Sequence, residues 1–261
     1  MPRPCCVCVD RDGCILVSSR LMDSVYVFGP DGSPVRTMEC WEDWEGLSSP
    51  GKRCSPRGVA LDAEGNVVVA DSWNHRVQVF RLDGTFVRSF GSEGSGPGQM
   101  KKPWGVAVDG AGQILVSERG NHRVQVFGVD GSAVRSFGSK GSGPGQLCRP
   151  RGIALDRDGG VVVADWGNDR VQVFRPDGTA ASCFGAAGWR PSPCDVAVNA
   201  DGNVVVADMA GVHVLGPDGS VVRSFELKCL GIPMEPNFGV AVDGEGKILV
   251  ADCYNNRVLI F

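Results

Sequence analysis

The chain has 261 residues, a net charge of −4 and 37 glycines, and it contains no apolar run long enough to span a membrane. No secretory signal pattern is visible at the start of the sequence. The 11 cysteines do not have the spacing of a zinc site, so we expect free, buried thiols in a cytoplasmic protein with no metal or cofactor. The net negative charge by itself gives no reason to propose a nucleic-acid partner.

Short β-branched and aromatic runs recur along the chain and are separated by Asp-Gly turns. In residues 103–137, PWGVAVDGAGQILVSERGNHRVQVFGVDGSAVRSF, four such runs are joined by three short breaks. Asp-Gly pairs favour hairpins because both central residues tolerate positive φ. This segment therefore predicts one four-stranded antiparallel meander.

The first strand of this unit recurs along the whole chain, near Val7, Val59, Val106, Ile153, Val196 and Val240. A period of about 45 residues with four strands per unit is typical of a β-propeller. We predict an all-β fold, a six-bladed β-propeller of four-stranded antiparallel blades that forms one domain over residues 1–261. The predicted blades span approximately residues 4–40, 55–92, 102–139, 149–186, 193–227 and 236–261.

The sixth copy of the unit ends at NNRVLIF, directly after its third strand, so the last blade lacks its outer strand within this chain. The edge at 258–261 would be open, and an open apolar edge invites pairing with another chain. Two explanations are considered. Residues upstream of Met1 in a longer natural protein supply the strand, which we favour, or the ring closes without it.

The recurring pattern of Pro-x-Gly-Val-Ala-Val-Asp, then Val-Ala-Asp, then Asn-His-Arg-Val-Gln-Val-Phe resembles the NHL repeat. It is clearest at Pro103-Trp104-Gly105, Asn121-His122-Arg123 and Phe137-Gly138, and it is weakest in blades 1 and 5. The resemblance implies the propeller that often forms the C-terminal part of tripartite-motif (TRIM-NHL) proteins. Some of those propellers bind RNA on one face, and others recruit proteins.

We expect this chain not to be an enzyme. It has no cysteine and histidine array of RING or B-box spacing, so any ubiquitin-ligase activity would need regions absent from it. The three histidines, His75, His122 and His213, lie in or next to third strands and do not converge on the axis. Neither a metal centre nor a catalytic triad is therefore predicted.

Two repeated motifs are interpreted as scaffold. Asp71 and Arg76, and the equivalent pairs in blades 4 and 6, recur at one spacing, whereas a functional site is expected only once. The glycine-rich segments 91–99 and 138–146 lack the Gly-Lys-Ser/Thr ending of a phosphate loop. They are predicted to be flexible connectors between blades.

Charge separates between the two ends of the predicted ring. The turns that join first to second and third to fourth strands form one side, here called the turn face, and they are rich in Asp. The other side, here called the loop face, carries the connections between second and third strands and between blades. Around blades 2 to 4 the loop face combines basic and Trp side chains, which suit the phosphates and bases of single-stranded nucleic acid.

The sequence thus predicts a non-catalytic binding module for single-stranded or hairpin RNA. The alternative is a protein-interaction platform that recruits substrates or partners for an upstream ubiquitin-ligase module. In either case we expect no membrane or small-molecule ligand, and an isolated chain that is monomeric. The candidate RNA- or partner-binding residues are Arg57, Trp73, Lys101, Lys102, Trp104, Arg119, Arg149, Arg151, Trp166 and Arg190.

Overall fold

The computed structural model describes residues 1–40, 54–185, 192–227 and 238–261. Blade 1 contains β1 (Pro4–Val9), β2 (Ile15–Ser19), β3 (Ser24–Phe28) and β4 (Pro34–Glu39). Blade 2 contains β5 (Pro56–Leu61), β6 (Val67–Asp71), β7 (Arg76–Phe80) and β8 (Phe86–Phe90), and the short strands β9 (Ser92–Glu93) and β10 (Gln99–Met100) follow it. Blade 3 contains β11 (Pro103–Val108), β12 (Ile114–Glu118), β13 (Arg123–Phe127) and β14 (Ala133–Phe137).

The second half of the chain repeats this order. Blade 4 contains β15 (Ile153–Leu155), β16 (Val161–Asp165), the 3-10 turn Trp166–Asn168, β17 (Arg170–Phe174) and β18 (Ala180–Phe184). Blade 5 contains β19 (Asp195–Val198), β20 (Val204–Ala207), β21 (Gly211–Leu215) and β22 (Val221–Glu226). Blade 6 contains β23 (Phe238–Val242), β24 (Ile248–Asp252) and β25 (Arg257–Ile260). The prediction of a six-bladed propeller with a three-stranded last blade is confirmed.

Asp side chains fold the turn after the first strand in five blades, and Asn199 does so in blade 5. In blade 3 the Asp109 Oδ1 atom accepts the backbone N–H groups of Ala111 and Gln113 at 2.9 and 2.8 Å. Gly112 completes the turn at φ 80°, which costs glycine little because it has no Cβ. The Asp-Gly sequences therefore form the hairpins that their pattern predicts.

The blades pack face to face, and this explains why the middle strands are apolar on both sides. Strands β6, β12 and β16 are buried along their whole length. Between blades 2 and 3, Val68 and Val77 lie in one cluster with Val106, Val116 and Phe127. A single meander cannot bury either face, whereas the ring buries both.

The ring closes by the packing of blade 6 against blade 1. Val7 and Val17 lie in one apolar cluster with Leu249 and Ala251. The N–H of Arg3 also donates to Asn256 Oδ1 at 2.8 Å. Among the described residues the third strand of blade 6 pairs with β24 alone, and Ile260 is 54% exposed at this edge.

The glycine-rich connectors are held in place, contrary to the prediction that they are flexible. The Arg123 guanidinium donates to the carbonyl oxygens of Ser95, Gly96 and Gln99 at 2.8–3.2 Å. Arg170 makes the same three contacts with the next connector. Composition alone missed these bonds, because the donor lies 24 to 28 residues away from each acceptor.

Within the described parts of the chain, no helix is both long and apolar enough to cross a membrane.

Candidate functional site

The loop face carries five of the predicted site residues at the mouth of the central channel. Arg57 and Trp104 lie at the second position of the innermost strands β5 and β11, and Arg151 precedes β15. Arg119 and Trp166 directly follow the second strands β12 and β16. The topology therefore brings residues from three consecutive blades together at one end of the ring.

These five side chains form an alternating stack of guanidinium and indole groups, here called the Arg–Trp stack. The Cζ atom of Arg57 lies 4.0 Å from the ring centroid of Trp104, and that of Arg151 lies 4.8 Å from the same ring. Arg151 also lies 4.2 Å from the Trp166 ring. Arg119 completes the stack, 5.3 Å from Trp104 and 5.8 Å from Trp166. Such contacts stabilise the cations by attraction to the ring faces.

The Arg–Trp stack is largely buried, so it does not form a surface that the bases of a nucleic acid could reach. Arg151 is fully buried, and Arg57 and Trp104 are each 6% exposed. The guanidinium groups of Arg57 and Arg151 lie against the Trp104 ring that a base would need. These contacts hold the side chains of the stack together at the channel mouth.

The exposed cations lie in the loops that follow blades 2 and 3. Lys101, Lys102, Lys140 and Arg149 are all exposed. Among the described residues none of them takes part in an ion pair, so their charge faces solvent. Trp73, in the neighbouring loop of blade 2, is 62% exposed and offers a free indole face. Arg190, the remaining candidate, lies outside the described residues.

Histidines fix the backbone beside these cations. The N–H of Lys102 donates to His75 Nδ1 at 3.0 Å, and that of Arg149 donates to His122 Nδ1 at 3.1 Å. Lys102 and Arg149 both have φ 52°, a left-handed conformation that only such a contact or a tight turn retains. No local sequence pattern indicates this role, because donor and acceptor belong to different blades.

The Asp and Arg motif joins the second and third strands of each blade that carries it, in agreement with its interpretation as scaffold. The Nε atoms of Arg76, Arg170 and Arg257 lie 3.1, 2.8 and 3.1 Å from the carboxylates of Asp71, Asp165 and Asp252. Blade 3 has an equivalent pair, Glu118 and Arg123 at 2.6 Å. The sequence motif did not include this pair because its acid is Glu rather than Asp. All four carboxylates are at most 2% exposed, which is typical of paired, structural charges.

The histidines do not form a shared site. His213 pairs with Asp208 in blade 5, at 3.2 Å between Nε2 and Oδ2, while His75 and His122 lie at two other seams. In the described parts of the chain no three His, Cys, Asp or Glu side chains are grouped so that they could hold a metal ion.

Fold and site together define the class of this protein: it is a six-bladed β-propeller with a charged loop face around its channel. The repeats identify the type of propeller. The NHL repeat family model matches residues 54–80, 100–127, 147–174 and 239–261, so the propeller contains NHL repeats. The matched segments lie in blades 2, 3, 4 and 6, and the unmatched blades 1 and 5 are those whose loops depart from the pattern.

Among curated proteins, the chain is similar to the E3 ubiquitin-protein ligase TRIM71 of Gallus gallus. The two are 55% identical over 38 residues, which is 15% of this chain. The match spans 4% of that relative's length.

Solved structures share the fold over nearly the whole chain. A streptogramin B lyase structure superposes with a TM-score of 0.69 at 11% identity and covers 99% of this chain and 94% of the lyase. The structure of a putative gluconolactonase superposes with a TM-score of 0.71 at 16% identity and covers 97% of this chain and 87% of the other.

These structures correct the expectation that the chain is not an enzyme. A lyase and a gluconolactonase are enzymes whose structures superpose on this chain, so the inference from a propeller without a RING module to an absence of catalysis was wrong. At 11% and 16% identity the likeness shows the fold and assigns no reaction to this chain.

Proposed function

We propose that the chain binds single-stranded or hairpin RNA on its loop face, along an arc from Trp73 to Arg149. The observation that carries this proposal is the group of exposed cations without acidic partners, Lys101, Lys102, Lys140 and Arg149, beside an exposed indole. Ammonium and guanidinium groups neutralise phosphates, and an aromatic face stacks on a base. A cytoplasmic location is part of the proposal, supported by ten described cysteines that are all free.

The Arg–Trp stack supports the arrangement of the exposed cations on the loop face. Its three guanidinium groups add positive potential at the channel mouth, and the packing of Arg151 against Trp104 and Trp166 fixes the loops that carry the exposed cations. Pre-ordered loops lose less conformational freedom when a ligand binds. In this proposal the buried arginines act through their field and the exposed cations make the contacts.

The test is fluorescence anisotropy with a labelled pool of short single-stranded and hairpin RNAs at several salt concentrations. Replacing Lys101, Lys102 and Arg149 by Glu is expected to weaken binding at least tenfold and to reduce the salt dependence by about one unit of slope per lost phosphate contact. The matched control replaces Arg11, Arg81 and Arg157 by Glu, which changes the charge equally on the turn face, where all three are exposed.

Two results would contradict the proposal. The first is that the unmodified chain does not bind the RNA pool, and the second is that both triple variants bind it equally. Trp73→Ala separates stacking from charge, because loss of one stacked base costs about 1–3 kcal/mol without changing the salt slope.

One observation favours a protein partner instead. Leu21 and Trp73 occupy the same loop position in adjacent blades and are 49% and 62% exposed. Large exposed apolar side chains, above all Trp, are common at interface hot spots. A partner retained on the immobilised chain after nuclease treatment, and lost with Trp73→Ala but not with the triple Glu variant, would support this function over RNA binding.

A further inference from the structure

The outer edge of blade 6 is uncovered along strand β25. The N–H and C=O groups of Phe261 bond to Ile248, the residue at the start of β24. Because antiparallel strands bond through alternate residues, the N–H and C=O groups of Val258 and Ile260 point away from β24. Val126, the equivalent of Ile260 in blade 3, pairs with the fourth strand β14 and is fully buried. Among the described residues no strand pairs with the outer side of β25.

The other seams show which side chain covers this place. Each fourth strand carries near its end a Phe or Met that packs toward the third strand of the next blade. The Phe137 ring of β14 lies 4.9 Å from that of Phe174 in blade 4, which is fully buried. The corresponding ring of blade 1, Phe28, is only partly buried and lies 6.4 Å from Tyr26 of its own blade. Within the described residues no fourth-strand side chain covers it.

The glycines in the turns between third and fourth strands show the same difference. A Cβ atom on Gly131, Gly178 or Gly219 would lie 2.5–2.8 Å from the ring of a fourth-strand Phe in the preceding blade. At Gly32 of blade 1, nothing lies within 4 Å of the same position. The Phe28 ring and the Gly32 turn, here called the aromatic seat, therefore leave room for one aromatic side chain at the seam between blades 6 and 1.

Fourth-strand arginines contact the same turns. Arg135 of β14 donates to the carbonyl oxygen of Pro176 in blade 4 at 2.5 Å. Hydrogen bonds from Thr179 lower the pKa of Asp177 in that turn, and the charges of Arg175 and Arg135 lower it further. The same relation holds at two other seams, for Arg36 with Asp83 and for Arg88 with Asp130. A fourth-strand arginine thus meets a carboxylate of the next blade.

Asp31 is the corresponding carboxylate of blade 1. Ser33 donates to its Oδ1 atom through both N–H and hydroxyl, and these bonds lower the pKa of Asp31. Among the described residues no arginine lies beside it. A cavity of about 620 Å³ lies here between the two blades, and its lining includes Ile15 and Pro30 of blade 1 and Ile260 of blade 6. An arginine and an aromatic ring would complete the seam as they do elsewhere in the ring.

Four of the five fourth strands share one sequence, Val-Arg-Ser/Thr-Phe/Met, at 35–38, 87–90, 134–137 and 222–225. We propose that the edge of blade 6 docks an extended segment of a partner protein with the sequence Val-Arg-Ser-Phe, which adds as an antiparallel fourth strand. By the register of blade 3, its Phe lies opposite Val258 and enters the aromatic seat, and its Arg lies opposite Ile260 and faces Asp31.

A second copy of this chain is not the occupant. All four strands with this sequence are already paired within their own blades, so a second copy could supply one only by opening a blade. The docking edge is independent of the proposed RNA binding, because it lies on the rim of blade 6 and not on the loop face of blades 2 to 4.

The test is fluorescence anisotropy with a labelled peptide of the sequence of residues 131–138, GSAVRSFG, titrated with the unmodified chain. We expect saturable binding that weakens about tenfold or more when Ala replaces the Phe of the peptide. Methylation of the Arg amide nitrogen should weaken binding about tenfold, because this N–H faces β25. Methylation of the Ser amide nitrogen is the matched control, because that N–H points away from β25, and it should have little effect.

A double-mutant cycle tests the contact with Asp31. Asp31→Asn keeps the side-chain oxygen that the turn needs, and it should weaken binding of the Arg peptide about threefold without affecting a peptide with Ala in place of Arg. Asp218→Asn is the control, because the strand that precedes this turn in the ring has Ser182 at the Arg position. It should bind both peptides as the unmodified chain does.

Hydrogen exchange of the unmodified chain locates the peptide without any substitution. The amides of Val258 and Ile260 should exchange rapidly in the free chain and become protected when the peptide is bound, while that of Phe261 is protected in both. Three results would overturn the proposal. They are a failure of GSAVRSFG to bind, an equal loss of affinity for the two methylated peptides, and protection of Val258 and Ile260 before peptide is added, which would mean that the edge is already paired.

Discussion

Blades 2 to 4 and blades 5, 6 and 1 have the same meander but are joined in different ways. In the first set Arg123 and Arg170 each pair with a buried carboxylate and also hold the preceding connector through three carbonyl oxygens. In the second set Asp208 pairs with His213 and Arg257 is 53% exposed. Alternating apolar strands are therefore enough to form a blade, while Arg123 and Arg170 add hydrogen bonds that tie a blade to the connector before it.

The same division applies to the candidate sites. The exposed cations of the loop face lie in the connectors of the first set, where the backbone is fixed by His75 and His122. Asp195 lies in the second set, where its carboxyl group accepts the N–H of Val240, and blade 6 packs against blade 1 through an apolar cluster. A ligand-binding surface gains from rigid loops, because loops that are already ordered lose less conformational freedom on binding.

The largest effect is expected for Arg123→Ala, which should lower the free energy of unfolding by about 3 kcal/mol or more. The substitution leaves the fully buried Glu118 carboxylate without its cation and removes the bonds that hold the connector. Urea unfolding followed by tryptophan fluorescence measures the change.

Arg257→Ala is the matched variant in the second set, with an expected cost of no more than about 1 kcal/mol. Solvent already screens this half-exposed guanidinium, and among the described residues it holds no connector. If the two variants lose equal free energies of unfolding, the hydrogen bonds to the connector add no stability. The proposed difference between the two sets of blades would then be wrong.

A smaller difference is expected between Phe137→Ala and Phe225→Ala. The Phe137 ring lies 4.9 Å from Phe174, which is fully buried, so its removal opens a gap at a closed seam and should cost about 2 kcal/mol. Phe225 lies 4.8 Å from Phe261, which is 43% exposed, so about 1 kcal/mol is expected. Thermal unfolding of both variants compares the stability of the two seams. A larger loss of stability for Phe225→Ala than for Phe137→Ala would contradict the comparison.

The sequence predicted the blades well because their signal is local. Alternation within five residues and an Asp-Gly turn are enough to define each strand and hairpin, as the bonds to Asp109 show. The burial of Arg57 and Trp104 could not be predicted from local sequence patterns, because their partners come from neighbouring blades. A comparison of the six copies could have found Asp195, since four other copies have glycine at its position, Gly58, Gly105, Gly152 and Gly239.

Adding a fourth strand to blade 6 should make the second set of blades more stable and therefore more similar to the first set. Residues 128–137 form the turn and fourth strand of blade 3, and a copy of them appended after Phe261 would have the register that pairs Val124 with Phe137. Pairing the open edge of β25 and covering Ile260 are expected to raise the free energy of unfolding by about 1 kcal/mol. A copy with Pro at the position of Arg135 is the control, and equal melting temperatures for the two extended chains would exclude strand pairing.

The smallest effect is expected for His122→Asn, and it depends on pH. Burial, Lys140 and Arg149 lower the pKa of His122, so the unfolded state binds more protons and the stability due to neutral His122 is lost as the pH falls through 6.5. Asn suits this position, because Asn256 has φ 54° and accepts the N–H of Arg3 as His122 accepts that of Arg149. We expect equal urea midpoints at pH 7.5 and a higher midpoint for the variant at pH 5. A lower midpoint at both pH values would mean that His122 stabilises the seam by packing rather than through its charge state.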